Sequence, residues 1–432
     1  MRFFLFLLLI PLFAYCGNDD INLDGIRFES TERIRTRIGE TIQLRLEEVP
    51  KNFNGTFCWR IDGREFSTEQ NPELTFERYG TGMITVTLKS GAQSRTLTRH
   101  YFSAKVAEHQ VVMYIPSWQP YRAQPWDKMT HLILCFGTIN SNGSVNVADV
   151  RRVLTPAIRE AQNHGVQVLL AIGGGDALTE PGGVDYYGFT NAKRNPVTRA
   201  LAIQNLVNLV DEMNLCGIDV DYEHWDKSGV FNPDNAVRAH YLEIFVRELR
   251  EALSERYLLT AAISQFMLQR GFFPETMHRH LDLVNLMIYD FRGPWNPNDI
   301  GPHSHWEFFT SFISQAQRAG IPDHKIIPGV PFYGVRFWTD NNGIRRAEHI
   351  VYREIVRRNP AAAHVEHRWD FGADFGVVYF DGLPMIRRKT EFIMAQNLGG
   401  IMAWEITQDA IYTSDLSLLR AIDDVLRNTP NP

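Results

Sequence analysis

The stretch LCGIDVDYEHWD, residues 215–226, places three carboxylates at alternate positions: Asp219, Asp221 and Glu223. Side chains alternate faces along a strand, so residues two apart point the same way, roughly 7 Å apart. Ile218, Val220 and Tyr222 then share one face and the three acids the other. A carboxylate in an apolar interior shifts its pKa or finds a partner. Three on one face make a poor structural device and a good proton-handling one. Like charges packed together cannot all ionise, so protons are shared and one pKa rises into the range a general acid needs at neutral pH.

Such a strand needs a scaffold that converges other groups on it. From about residue 111 onward, apolar runs alternate with amphipathic helical stretches, the mark of a parallel sheet covered by helices. The runs are 111–118, 131–140, 167–175, 217–223, 258–266, 283–291, 326–334 and 399–406. Helical stretches between them include 196–214, 236–255, 305–319 and 384–397. Eight strands in this alternation predict an α/β fold, a (β/α)8 TIM barrel over 108–425, whose active site lies at the C-terminal strand ends. A doubly wound open sheet is the other fold weighed, but it asks for no eighth strand. The glycine-rich AIGGGD (171–176) lacks both the P-loop lysine and dinucleotide spacing. Glu223 ends the fourth run, with Asp221 and Asp219 progressively deeper. Tyr289 and Asp290 end the sixth, Tyr333 the seventh, and Trp404 lies in the eighth. Acids ringed by aromatics suit a sugar, whose apolar faces stack on rings while its hydroxyls bond to carboxylates.

These residues carry a resemblance to family 18 glycoside hydrolases of the chitinase type, over about 110–410. GIDVDYE matches the G-x-D-x-D-x-E core of that family's fourth-strand signature; LLAIGG, MIYD, VPFYG and GGIMAW match the third, sixth, seventh and eighth. The resemblance implies a retaining, substrate-assisted mechanism, the family's exception to the two-carboxylate rule. Glu223 is then general acid and base, and Asp221 orients the substrate's 2-acetamido group, whose carbonyl oxygen is the nucleophile. Asp219 backs Asp221, Tyr289 donates a hydrogen bond to the acetamido carbonyl, and Trp404 floors the sugar being cleaved. Met287, Asp290, Tyr333, Trp118 and Tyr114 are further candidate substrate contacts; for Trp118 core packing is the competing expectation. Two positions depart from the family pattern: Cys216 stands where Asp is usual and Ala171 where Ser is usual, both removing hydrogen bonds to the acid column. Tyr114 on the first strand is the candidate support for Asp219. The implied partner is an N-acetylglucosamine oligo- or polysaccharide, and no cofactor is implied. Endo-hydrolysis of β-1,4-linked N-acetylglucosamine leads, with cleavage of the chitobiose core of N-glycans, or non-catalytic surface glycan binding, as alternatives.

The rest of the chain sets the context. Net charge is −6, with 44 basic and 50 acidic residues, which points away from a nucleic-acid partner. Residues 21–107 show short alternating runs separated by turn signals, predicting a small all-β sandwich before the barrel. With Trp59 in its middle strand, the module resembles immunoglobulin-like domains of the polycystic-kidney-disease type; a spacer role and carbohydrate binding are both open. Residues 1–20 read as a signal peptide, with an apolar run from Phe3 to Tyr15 too short to span a bilayer. Cys16 followed by GNDD resembles a bacterial lipoprotein signal, implying an exported protein anchored to the outer membrane through lipid on Cys16, and the acidic residues after it resemble a signal for cell-surface exposure. Tyr15 departs from the small residue usual before that cysteine, and ordinary secretion is the other reading. Cys58, Cys135 and Cys216 are expected to be buried free thiols rather than a disulfide framework. The pairs His278/His280 and His303/His305 lack further clustered ligands and are expected in surface loops, with no metal.

Overall fold

The computed structural model describes residues 23–30, 33–175, 187–225 and 233–428. Asp176 and the whole segment 1–22, with Cys16, lie outside them. The chain divides between Phe102 and Ser103 into two compact units.

The first unit is all-β. Strand Thr56–Ile61 pairs antiparallel with both Arg64–Ser67 and Gly80–Ser90 within a five-stranded sheet, beside two two-stranded sheets. Alternation in this strand buries Phe57 and Trp59 and turns Thr56 and Cys58 outward. Trp59 is fully buried against Phe28 and spends its indole N–H on the Glu69 carbonyl at 2.8 Å, as a buried Trp must. Cys58 is thus a correction: it is partly exposed, and its thiol donates to Glu65. Cys135 and Cys216 are buried thiols outside any disulfide.

The second unit is a closed barrel of eight parallel strands: β1 (Gln110–Pro116), β2 (His131–Ile139), β3 (Gln167–Gly173), β4 (Gly217–Asp221), β5 (Leu258–Ile263), β6 (Leu283–Leu286), β7 (Ile326–Pro331) and β8 (Gly400–Trp404). Closure comes from β1, which pairs with both β2 and β8. Helices Ala148–Asn163, Pro196–Glu212, Pro233–Leu253, Trp306–Arg318 and Leu383–Ala395 connect the strands. Period-2 alternation divides the apolar residues into two cores. Ile218 and Val220 face the shell between strands and helices, while Tyr114, Cys135, Ala171 and Met402 fill the barrel interior. A four-stranded antiparallel sheet, begun by Tyr333–Thr339 and Arg345–Val351, is inserted between β7 and β8.

All eight predicted strands are present, but most end earlier than the apolar runs suggest. Glu223 lies two residues beyond β4, Tyr289 and Asp290 three and four beyond β6, and Tyr333 opens the inserted sheet rather than closing β7. Apolar composition continues past the last ladder bond of β4 and β6 because Tyr222 and Ile288 still pack in the outer core, while Glu223 and Tyr289 turn to the mouth.

Candidate active site

On β4 the alternation places Asp219 and Asp221 inside the barrel, both buried. Register sets what surrounds them. Asp219 lies level with Ala171 on β3 and Thr260 on β5; Asp221 lies level with Gly173 and Ala262. Small neighbours on both sides leave room for the two carboxylates. At Gly173 (φ +108°) a Cβ would lie 2.0 Å from the Asp221 carbonyl oxygen, so only glycine serves there.

Asp219 is held by three side-chain donors. Thr260 Oγ1 donates to its Oδ1 at 2.5 Å and Tyr114 OH to its Oδ2 at 2.8 Å. Asn285 Nδ2 reaches both Asp219 Oδ1 (3.2 Å) and the Tyr114 hydroxyl (3.1 Å). Burial nonetheless wins over these bonds and raises the Asp219 pKa to about 6. Tyr114 therefore donates to Asp219, and Thr260 and Asn285 add two further donors. Neither of those two was visible from local spacing, since they come from β5 and β6.

Glu223 is half-buried just past the strand end. Its carboxylate lies against Gly175, where a Cβ would stand 2.9 Å from Oε1. Tyr289 is half-buried, and its hydroxyl makes one hydrogen bond among the described residues, a long one to Met402 Sδ at 3.9 Å. Burial first, then the charges of Asp221, Asp290 and Glu223, push its pKa well up, so the phenol stays a donor. Met287 packs with Tyr289 and Trp404 against the interior cluster.

Asp290 sits at φ +60°, a left-handed conformation that Asp tolerates better than most residues. Tyr333 OH donates to its Oδ1 at 2.7 Å, with His303 Nδ1 at 3.6 Å and His349 Nε2 at 3.7 Å from the same oxygen. Its side chain is 41% exposed at the mouth, and although partial desolvation opposes ionisation, His303, His349 and Tyr333 together hold its pKa below the usual carboxylate value. His303 is buried, not in a surface loop as predicted, and so is His278. His349 arrives from the inserted sheet, a placement with no sequence signal.

An aromatic row completes the mouth. Trp404 lies 5.6 Å from Tyr114 and stacks on Phe136 (centroids 6.0 Å, 20° between planes), which stacks on Trp118 at 6.0 Å. Trp118 is 59% exposed, so core packing is excluded as its role. Trp295, beyond β6, is similarly open at 62%, whereas Trp225 is buried on Phe272. Among the described residues no group of His, Cys, Asp and Glu could hold a metal ion.

A barrel with an acid column at the strand ends and open aromatic faces around it has the form of a sugar-cleaving barrel enzyme. The chain belongs to glycosyl hydrolases family 18, whose family model matches residues 110–409. It is 28% identical to the family 18 chitinase from the chitin utilization locus of Flavobacterium johnsoniae, covering 74% of this chain and 94% of that one, with a TM-score of 0.58. A chitinase from Bacteroides thetaiotaomicron shares the fold at 24% identity, with 74% and 96% covered and a TM-score of 0.61. A probable chitinase 10 of Drosophila melanogaster is 26% identical over 75% of this chain, which spans 16% of that relative's length.

Proposed function

We propose that this enzyme hydrolyses β-1,4-linked N-acetylglucosamine chains internally, with retention and with the substrate's own acetamido group as nucleophile. The observation that carries this reading is Tyr289: a phenol kept protonated, spending its proton on nothing better than a thioether, among the charges of Asp221, Glu223 and Asp290. A half-buried donor with so poor a partner is free to exchange it for a better acceptor, such as a carbonyl oxygen presented at the mouth. The acetamido carbonyl is such an acceptor. Held by Tyr289 and Asp221, its oxygen attacks the anomeric carbon while Glu223 gives a proton to the leaving oxygen. Glu223 then takes a proton from the water that opens the oxazolinium ion. The attack is intramolecular and draws on the high effective molarity of a positioned neighbour. Asp219, fully bonded below, supports Asp221, and Trp404 offers the apolar face on which the ring sits.

Chitin is the substrate class this reading favours, in keeping with the relatives described as chitinases. The test is turnover of a fluorogenic chitobioside, followed by a digest of chitooligosaccharides beside a high-mannose glycoprotein, read by mass spectrometry. Shortened chitooligosaccharides with intact glycoprotein support it. Released glycan would move the substrate to the chitobiose core of N-glycans, and no turnover at all would leave a glycan-binding protein.

We further infer that Cys16 carries a lipid anchor to the outer membrane and that the N-terminal module is an immunoglobulin-like spacer. A Cys16→Ser protein that still partitions into detergent as the parent does would refute the anchor.

A further inference from the structure

Tyr289 and Asp290 lie where the sheet no longer holds the chain. β6 stops at Leu286, the Met287 N–H makes the last bond to β5 (Ile263 O, 3.0 Å), and Asp290 then takes its left-handed turn. What fixes this turn is a returning segment, His303–Ser304. The Phe291 N–H donates to the His303 carbonyl at 3.0 Å, and the Asp290 N–H faces His303 Nδ1 at 3.5 Å. Ser304 Oγ donates to the Ile288 carbonyl at 2.5 Å. The carbonyl before Tyr289 and the two amides after it are thus tied to two residues, both buried.

Ser304 is held in turn from behind. Lys389, fully buried on the helix Leu383–Ala395, donates to the Ser304 carbonyl (2.6 Å), to Ser304 Oγ (2.7 Å) and to Asp381 Oδ2 (2.6 Å). An ammonium has three protons, and all three are used. Burial lowers the Lys389 pKa and Asp381, itself buried, opposes that shift. A buried ion pair is weak evidence for stability, because apolar residues of the same volume often do as well. An apolar side chain, however, could not grip both the carbonyl and the hydroxyl of Ser304.

We propose that Lys389 and Ser304 are positioning residues: a buried clamp, anchored on Asp381, that sets Tyr289 and Asp290 at the angle the reaction needs. The roles of Tyr289 and Asp290 rest on the function proposed above; the clamp itself does not. The bland alternative is that the cluster merely packs the helix against the barrel.

Ser304→Ala is the decisive variant, since it keeps the Lys389–Asp381 pair and the Lys389 bond to the carbonyl of residue 304, and removes the hydroxyl's two bonds, to Ile288 and from Lys389. Two readouts on the full chain separate the possibilities. Hydrogen exchange of the peptide covering 287–292 should quicken several-fold while peptides from β4 and β5 stay as in the parent, because only local opening is affected. On the fluorogenic chitobioside, kcat should fall about 10- to 100-fold with KM nearly unchanged, the signature of a misplaced transition-state contact. Lys389→Met should act in the same direction and more strongly; if it fails to fold, Ser304→Ala decides alone. Unchanged exchange over 287–292 overturns the clamp, and faster exchange with parental kcat overturns its role in positioning. A parent inactive on the chitobioside refutes the proposed function instead, and the exchange result then judges the clamp by itself.

Discussion

At Asp219, burial and hydrogen bonding pull in opposite directions. Three donors stabilise the anion, yet the apolar barrel wins and the carboxyl titrates near pH 6 instead of 3.8. Between those values the folded chain keeps a proton that the unfolded chain releases. The group's contribution to stability is therefore fully present below about pH 4 and is lost as pH rises through about 6, a swing on the order of 3 kcal/mol. Urea unfolding at pH 4 and pH 6.5 should show this slope in the parent and a flatter one in Asp219→Asn; equal slopes would mean that the anion is not desolvated as described. Glu223 is different, half-buried at the rim with a proton to deliver. Glu223→Gln keeps shape and polarity but cannot donate, so turnover should drop about 10²- to 10⁴-fold. Affinity for a chitooligosaccharide, measured by calorimetry, should stay within a few-fold; a variant with more than a tenth of the parental kcat would remove Glu223 from its role.

Between elements, what one strand lacks can matter as much as what another carries. Gly175, just past β3, has no side chain where a methyl would stand 2.9 Å from Glu223 Oε1. Its φ is not left-handed, so alanine is tolerated by the backbone, and the far end of the glutamate is what must move. Gly175→Ala should therefore melt close to the parent and lose about 10- to 100-fold in kcat; a variant that melts normally and turns over normally would show the Glu223 position to be unimportant. The strands and the acid column were legible in sequence because alternation and apolar runs are local signals, and Asp219, Asp221 and Glu223 lie two positions apart. The supports were not. Thr260 and Asn285 reach Asp219 through barrel register, 41 and 66 residues away in sequence. His303 and His349 meet Asp290 only because one chain segment returns and another is inserted after β7, and no short window of sequence contains both partners. The strand ends were overextended for a related reason: past Asp221 and Leu286, Tyr222 and Ile288 keep the apolar pattern by packing in the outer core after the ladder has ended.

At the scale of the whole molecule, every residue given a role in the reaction lies between Tyr114 and Trp404, inside the second compact unit. Residues 103–432 expressed alone should fold and turn over a soluble chitobioside at close to the rate of the full chain. A folded but inactive fragment would show that the first unit contributes to the chemistry. The central claim, that the nucleophile comes from the substrate, is tested most directly by proton NMR of the product at the earliest times of hydrolysis. Attack by the acetamido oxygen followed by water gives two inversions, so the freshly formed reducing end must be the β-anomer, relaxing to the equilibrium mixture only later. An α-anomer appearing first would mean that water attacks directly, contradicting the roles proposed for Asp221 and Tyr289.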